Sequence, residues 1–452
     1  MTNVTLVYPY FRPPNDGSIF RFPPLGLGYI ASYLKQWNIT VDIVDCTFLT
    51  EEEAINKVRR AKPKIIGIQS MFSMKSKTIE LANALKEDCD FLVAGGPLPT
   101  SNPGEFLNNF DAVIIGEGEE TMLELTQQFE NGGDLSKVNG IAYKKNGETK
   151  FTPRREFIKN LDSIPFPSRE LFYNQSYKTF HLKKFGYKIT PIMSSRGCPF
   201  NCSFCSRPVF GNTFRTRSPA NIVDEVEEVI KLGYDRIWFA DDCFTLVRKR
   251  LIDICNEIID RKLSANWECL SRVDTIDKET LEKMRQAGCK RMFFGIESGN
   301  EKILSLMNKQ ISTNEAQDAV KLTKESQIEA GAFFIVGYPG ESDETILDTV
   351  NFASSLPLDY LSFTLPYPIP GTPLYETVKN RMTVEDWEES SHRLLIGHKL
   401  LYRSDFSEFK LKFAIVKGTL QFELKKHLNH YGYEIVGRSF ERLTNKIFKI
   451  LR

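Results

Sequence analysis

Three cysteines stand at a spacing that can do chemistry: Cys198-Pro199-Phe200-Asn201-Cys202-Ser203-Phe204-Cys205. Thiolates at such intervals can wrap one soft metal centre from a single loop. A structural zinc site would want a fourth Cys or His close by, and the next candidate, Cys243, lies far down the chain. A cubane iron–sulfur cluster held by three thiolates keeps one iron open to a substrate, and the ligand count favours that reading. It competes with zinc and with three incidental loop cysteines. The total of nine cysteines is odd and otherwise scattered, which is not the pattern of a secreted disulfide scaffold. Cys243, Cys255, Cys269 and Cys289 are expected to be core thiols.

Elements must position that loop, and the first 139 residues alternate short apolar runs with amphipathic helices. Strands are expected at 4–7, 41–44, 65–68, 91–94 and 112–115, with helices at 28–36, 52–61, 78–86 and 119–129. Strands separated by helices of this length imply βαβ units and a doubly wound, Rossmann-like parallel sheet, whose ligands sit beyond the strand C-terminal ends. Those ends carry Asp45, Ser70, Gly95-Gly96-Pro97 and Gly116-Glu117-Gly118. Residues 140–185 change character: Asn146-Gly147 signals a hairpin, and Pro153, Pro165 and Pro167 punctuate a linker.

Alternation resumes at Ile189, with strands expected at 189–193, 236–240, 265–270, 291–295, 332–336 and 360–365. About six βα units make a partial barrel rather than a complete one. Beyond Gly371 the period becomes helical. A closing amphipathic helix over 438–451 sets Phe440, Leu443, Ile447, Phe448 and Leu451 on one stripe.

Composition narrows the function. Lys and Arg total 59 against 58 Asp and Glu, which argues against a chain built to coat nucleic acid. The balance is uneven, since residues 401–452 carry eleven bases and five acids. That excess reads as a solvated helical face, with an acidic protein partner as the alternative. No apolar run approaches the roughly 18 residues of a membrane span and no signal peptide is apparent, so a cytoplasmic protein is expected.

The cysteine loop resembles that of the radical S-adenosylmethionine enzymes, and the likeness continues in order along residues 189–375. Phe204 stands where the family places an aromatic residue near the adenine. Phe239-Ala240-Asp241-Asp242 closes the second barrel strand, where the methionine amino group is held, and Ser271-Arg272-Val273-Asp274 closes the third. Phe294-Gly295-Ile296-Glu297-Ser298-Gly299 closes the fourth, and Glu297 is the candidate for the ribose hydroxyls. Gly337-Tyr338-Pro339-Gly340-Glu341 and Pro368-Ile369-Pro370-Gly371-Thr372-Pro373 complete the pattern. Taken singly, each could be a plain turn or a helix cap.

Pro23-Pro24-Leu25-Gly26-Leu27-Gly28 resembles the opening of the cobalamin-binding domain of the cobalamin-dependent branch. Ser70, Gly95-Gly96 and Gly116-Glu117-Gly118 match its later loops, where small residues let backbone approach a flat corrin. A degenerate domain without ligand is the competing reading. Residues 1–180 contain no histidine, and Asp45-Cys46-Thr47-Phe48-Leu49 lacks the one that ligates cobalt in mutases. Any cobalamin is therefore expected to lack a histidine axial ligand.

The resemblance implies an α/β chain of four parts. These are a cobalamin-binding domain (1–139), a hairpin and linker (140–185), a partial (β/α)6 radical S-adenosylmethionine barrel (186–385) and a helical C-terminal region (386–452). It implies a [4Fe–4S] cluster on Cys198, Cys202 and Cys205, S-adenosylmethionine, cobalamin and an external electron donor. The activity it implies is methylation of an unactivated carbon; rearrangement, cyclisation or oxidation without methyl transfer is the alternative. A methylthiotransferase would need three further cysteines, whereas residues 1–180 hold only Cys46 and Cys89. A cofactor carrier is the non-enzymatic alternative. The compact layout resembles family members that methylate methyl-coenzyme M reductase, a glutamine carbon among their targets, so a protein or peptide is one expected substrate.

Overall fold

In the computed structural model, residues 3–11, 21–383, 399–428 and 433–451 are described. Strands β1 (Asn3–Tyr8), β2 (Thr40–Asp45), β3 (Ile65–Gln69), β4 (Phe91–Gly95) and β5 (Ala112–Ile114) are parallel and ordered β2-β1-β3-β4-β5. Their near-continuous Val, Ile and Leu runs suit a sheet covered on both faces. Two apolar layers cover it: Leu6, Val41 and Val93 belong to one, Val7, Ile66 and Ala94 to the other.

The hairpin at Asn146-Gly147 forms as β6 (Ile141–Lys145) and β7 (Glu148–Phe151), with both turn residues at positive φ. It does not stand apart: β6 pairs antiparallel with β5, extending the sheet to seven strands. Ile141, Ala142 and Tyr143 are buried there, whereas β7 is an exposed, mostly polar edge.

The second sheet is wholly parallel. It comprises β8 (Ile189–Ile192), then, beyond the short antiparallel pair β9 (Ser195–Arg196) and β10 (Arg215–Thr216), β11 (Arg236–Phe239), β12 (Trp267–Ser271), β13 (Cys289–Glu297), β14 (Glu329–Ile335) and β15 (Tyr360–Thr364). Each strand neighbours the next in sequence and β8 does not meet β15, so six strands make an open barrel. Helix starts are locally encoded. Capping boxes at Thr50/Glu53 and Ser312/Glu315, and Ser218 followed by Pro219, satisfy first-turn amides. Cys243, Cys255, Cys269 and Cys289 are buried thiols as expected.

One expectation fails. The closing helix forms at Arg438–Ile450, but of its apolar stripe only Phe448 is buried, and Leu443 and Ile447 are exposed. The helix meets its neighbours through the line of Thr444 and Phe448. Periodicity reveals an apolar stripe without saying how far a neighbour will cover it.

Candidate cofactor and active site

A cavity of about 500 Å³ lies between the two sheets. On one side it is lined by the C-terminal ends of β3, β4 and β5 and by Gly26, Gly95, Gly96, Gly116, Glu117 and Gly118. These are ligand-facing ends in a sheet ordered 2-1-3-4-5. The opposite wall is Ser206–Phe210, Asp242 and Ile369, which belong to the barrel. Gly96 sits at φ +102, and a Cβ there would come within 2.9 Å of the Ser70 carbonyl. Pro24 and Leu25 lie just behind this wall, Pro24 capping and Leu25 opening the helix Leu25–Lys35. Ser70 is fully buried, its hydroxyl taken by Thr78 and Met71, so it shapes the loop rather than the cavity surface. Among the described residues no histidine lines the cavity. His181 is buried elsewhere, its Nε2 2.7 Å from the Arg21 carbonyl.

The cysteine loop springs from β9. A Cβ on Gly197 would collide with the Thr213 carbonyl, so the chain can fold back there only without a side chain. The Arg207 guanidinium donates to the carbonyls of Cys198 and Phe200, and the Cys205 amide donates to the Cys202 carbonyl at 3.1 Å. The Ser203 amide donates to the Met307 carbonyl at 2.8 Å, and the Leu374 amide to the Ser203 carbonyl at 2.9 Å, pinning the loop over the barrel mouth. Phe204 packs there against Met307, Tyr338 and Leu374. All three thiols are free, and burial pushes that of Cys198 up, so its thiolate needs a cationic centre. Three thiols with no imidazole among them suit an iron–sulfur cluster. Among the described residues no three Cys, His, Asp or Glu side chains form a single-ion site.

The barrel strand ends come together around this loop, but their side chains divide into two kinds. Asp241 is consumed: its carboxylate accepts from the Ser194 and Ser195 amides at 2.7 and 3.2 Å and from both serine hydroxyls. It roots the cysteine loop. Its neighbour Asp242 lines the cavity, and burial pushes its carboxyl up. Arg272 is consumed too, forking onto Asp274 at 2.9 Å, donating to the Lys309 carbonyl and lying 3.7 Å from the Phe200 ring. The Ser298 hydroxyl bonds Thr349 and receives the Asn300 amide.

Glu297 sits at φ +74 where the β13–β14 register breaks, a strained geometry of the kind concentrated at functional sites. Its buried carboxylate lies 3.3 Å from Lys309 Nζ; burial pushes its pKa up, and Lys309 opposes the shift. Lys309 escaped the sequence reading, although it lies only twelve residues beyond Glu297, because a lysine in a turn looks solvated.

Glu117 was expected at cobalamin, and the structure gives it a second task. Its carboxylate meets Arg196 Nη1 at 2.7 Å and Arg215 Nη1 at 2.9 Å, and accepts the Ile158 amide at 2.9 Å. Glu119 takes Arg196 Nη2 at 2.6 Å. Glu117, Glu119 and Arg196 are all buried. Arg196 lies two residues before Cys198, so this cluster ties the glycine-lined wall directly to the cysteine loop. Nothing local in the sequence pairs these residues.

Comparison with known proteins follows the same division. The B12 binding domain model matches residues 19–126, and that of the radical SAM superfamily matches 192–353. An uncharacterised methyltransferase of Pyrococcus horikoshii is 35% identical over 393 residues, covering 83% of this chain and 84% of that one. The chain belongs to the cobalamin-dependent radical S-adenosylmethionine enzymes. Another relative, the anaerobic magnesium-protoporphyrin IX monomethyl ester cyclase of Rubrivivax gelatinosus, is 30% identical over 403 residues, covering 85% of this chain and 72% of that one. The solved radical S-adenosylmethionine methyltransferase TsrM of Kitasatospora setae, with cobalamin and a [4Fe–4S] cluster bound, shares the fold. Its TM-score is 0.72 at 18% identity, covering 84% of this chain and 75% of that one. The family's cofactors are a [4Fe–4S] cluster, S-adenosylmethionine and cobalamin. The thiol loop and the glycine-lined wall of this chain fit them.

Proposed function

We propose that this enzyme transfers a methyl group to an unactivated carbon. The observation that carries the reading is the cavity walled by the glycine-rich strand ends on one side and, on the other, by Asp242 and by Ser206–Phe210, which directly follow the cysteine loop. When bound, the cluster and S-adenosylmethionine supply a 5′-deoxyadenosyl radical, and cobalamin supplies a methyl group. The protein positions and shields. Cys198, Cys202 and Cys205 hold the cluster; Glu297 and Asp242 take the polar ends of S-adenosylmethionine, and Phe204 takes its adenine. Arg272, Ser298 and Asp241 keep those groups in place through the bonds described above. Leu6, Ile30, Met122 and Ile369 make the cavity lining largely apolar, which excludes water from a reactive radical. The described residues that would hold cobalamin include no histidine, so a Co(II) paramagnetic spectrum with histidine-type nitrogen coupling would contradict this reading.

The acceptor in this reading is a carbon of a protein or of a small molecule; a glutamine of methyl-coenzyme M reductase is the protein example. Cyclisation without methyl transfer is the second reading, favoured by the relative named as a cyclase. Methyl-deuterated S-adenosylmethionine separates them. Methyl transfer yields a product carrying CD₃ on carbon, with S-adenosylhomocysteine and 5′-deoxyadenosine formed in equal amounts. An unlabelled product with unchanged carbon count supports cyclisation instead. The acceptor itself is found from mass shifts in the proteome and metabolites of cells with and without the gene.

A further inference from the structure

The helix Arg438–Ile450 carries two exposed rows that the cofactor site does not use. Leu443, Ile447 and Ile450 recur at helical spacing, and Leu443 and Ile450 are 59% and 80% exposed. Ile435 and Val436, in the turn before the helix, are exposed as well. At 100° per residue, Arg438, Arg442, Lys446 and Lys449 form a second row beside the first, all exposed and opposed by the single acid Glu441. The helix is held firmly beneath. Phe448 is fully buried, and the Lys410 ammonium, itself paired with Asp343, lies 4.9 Å from its ring.

An apolar patch of this kind on a soluble surface marks a contact. Its composition selects the partner. Protein interfaces favour aromatic anchors and are depleted in lysine, whereas here the exposed side chains of the stripe, Leu443, Ile447 and Ile450, are aliphatic and stand beside a row half made of lysine. An antiparallel pairing with a second copy about this stripe would set basic row against basic row. A helix with an aliphatic face and a flanking basic row matches an anionic lipid surface. The aliphatic residues enter the acyl boundary, and the long basic side chains reach the phosphates. The helix is too short to cross: among the described residues no helix is long and apolar enough to span a membrane.

We propose that the helix Arg438–Ile450 docks this enzyme onto an anionic membrane surface, lying in the plane of the interface. Co-sedimentation of the full chain with vesicles tests it, without reference to catalysis. Binding is expected to vesicles of phosphatidylcholine containing phosphatidylglycerol and not to phosphatidylcholine alone, and it weakens as salt shortens the screening length. R442Q/K446Q/K449Q should lower partitioning by about two orders of magnitude, since each basic residue near such a surface is worth about 1 kcal/mol. L443E/I447E should abolish partitioning, while W37E, which alters an exposed tryptophan on the other domain, leaves it intact. The altered side chains are exposed, so thermal melts and iron content should match the unaltered chain. Absence of binding to the anionic vesicles, or binding by either multiple variant equal to that of the unaltered chain, would overturn the proposal. So would a lipid-free dimer that L443E/I447E dissociates, because it would assign the stripe to a second copy.

Discussion

The two walls of the cavity are built by different means. The wall from the first sheet sets Gly26, Gly95, Gly96, Gly116 and Gly118 among apolar side chains such as Leu6, Ile30 and Met122, and a Cβ on Gly26 would meet no protein atom within 4 Å. The barrel side is held by side chains: Arg207 at the cavity, and Asp241 and Arg272 away from it, are each committed to several hydrogen bonds that fix loops. The difference suits the proposed ligands. A broad flat macrocycle needs room and backbone approach. A cluster and a zwitterionic nucleoside need donors held at defined points, which requires a supporting layer of satisfied polar groups. Substitutions in the barrel wall should therefore be costly and position-specific, and those at an open glycine such as Gly26 mild and confined to one cofactor.

The largest effect is expected at the thiols. Cys198→Ala, Cys202→Ala and Cys205→Ala should each abolish iron loading and 5′-deoxyadenosine formation, whereas Cys269→Ala, a buried core thiol, leaves iron content unchanged. Equal iron loss in all four variants would erase the distinction between loop and core. Next comes the charge cluster that joins the walls. Arg196→Met strands the buried Glu119 and leaves Glu117 to Arg215, and removing one partner of such a group costs about 3–5 kcal/mol. A denaturant melt should show that loss, and an unchanged midpoint would mean the walls are held together elsewhere.

Glu297→Ala should weaken S-adenosylmethionine binding by roughly 1–3 kcal/mol, read by calorimetry. It also strands Lys309, so Glu297→Gln is the cleaner variant: loss of affinity at unchanged melting temperature assigns the carboxylate to the ligand. A pH effect in the barrel acts on folding rather than on ligand binding. Burial pushes the Glu341 carboxyl up to about 8, while its Oε2 accepts the Tyr338 amide at 2.8 Å. A raised acid binds more protons folded than unfolded, so its contribution is present below the ordinary glutamate range and is lost as pH rises towards 8. Glu341→Gln should flatten that decline in a series of melts across the interval. The smallest effect on folding belongs to the glycine wall. Gly26→Ala should leave stability and iron unchanged and lower cobalamin retention alone, and a loss of iron as well would break the comparison.

Much of this was legible in the chain. Strand and helix positions followed from apolar period and caps, because these are interactions within about four residues. The order of motifs at successive strand ends likewise revealed the barrel and, through the family resemblance, the cofactors. What remained hidden depended on partners far away in sequence. Asp241 and Asp242 are adjacent and alike, yet only docking of the β8–β9 turn onto β11 consumes the first and leaves the second at the cavity. Arg196 and Glu117 lie 79 residues apart, and only the packing of two sheets makes them a pair. The stripe of the last helix was visible as a period, but its exposure was decided by how little of that helix its neighbours cover. Residue type and spacing determine local conformation and the chemistry on offer; which polar group is satisfied, and which apolar face is left open, is settled only when distant elements meet and compete for the same surfaces.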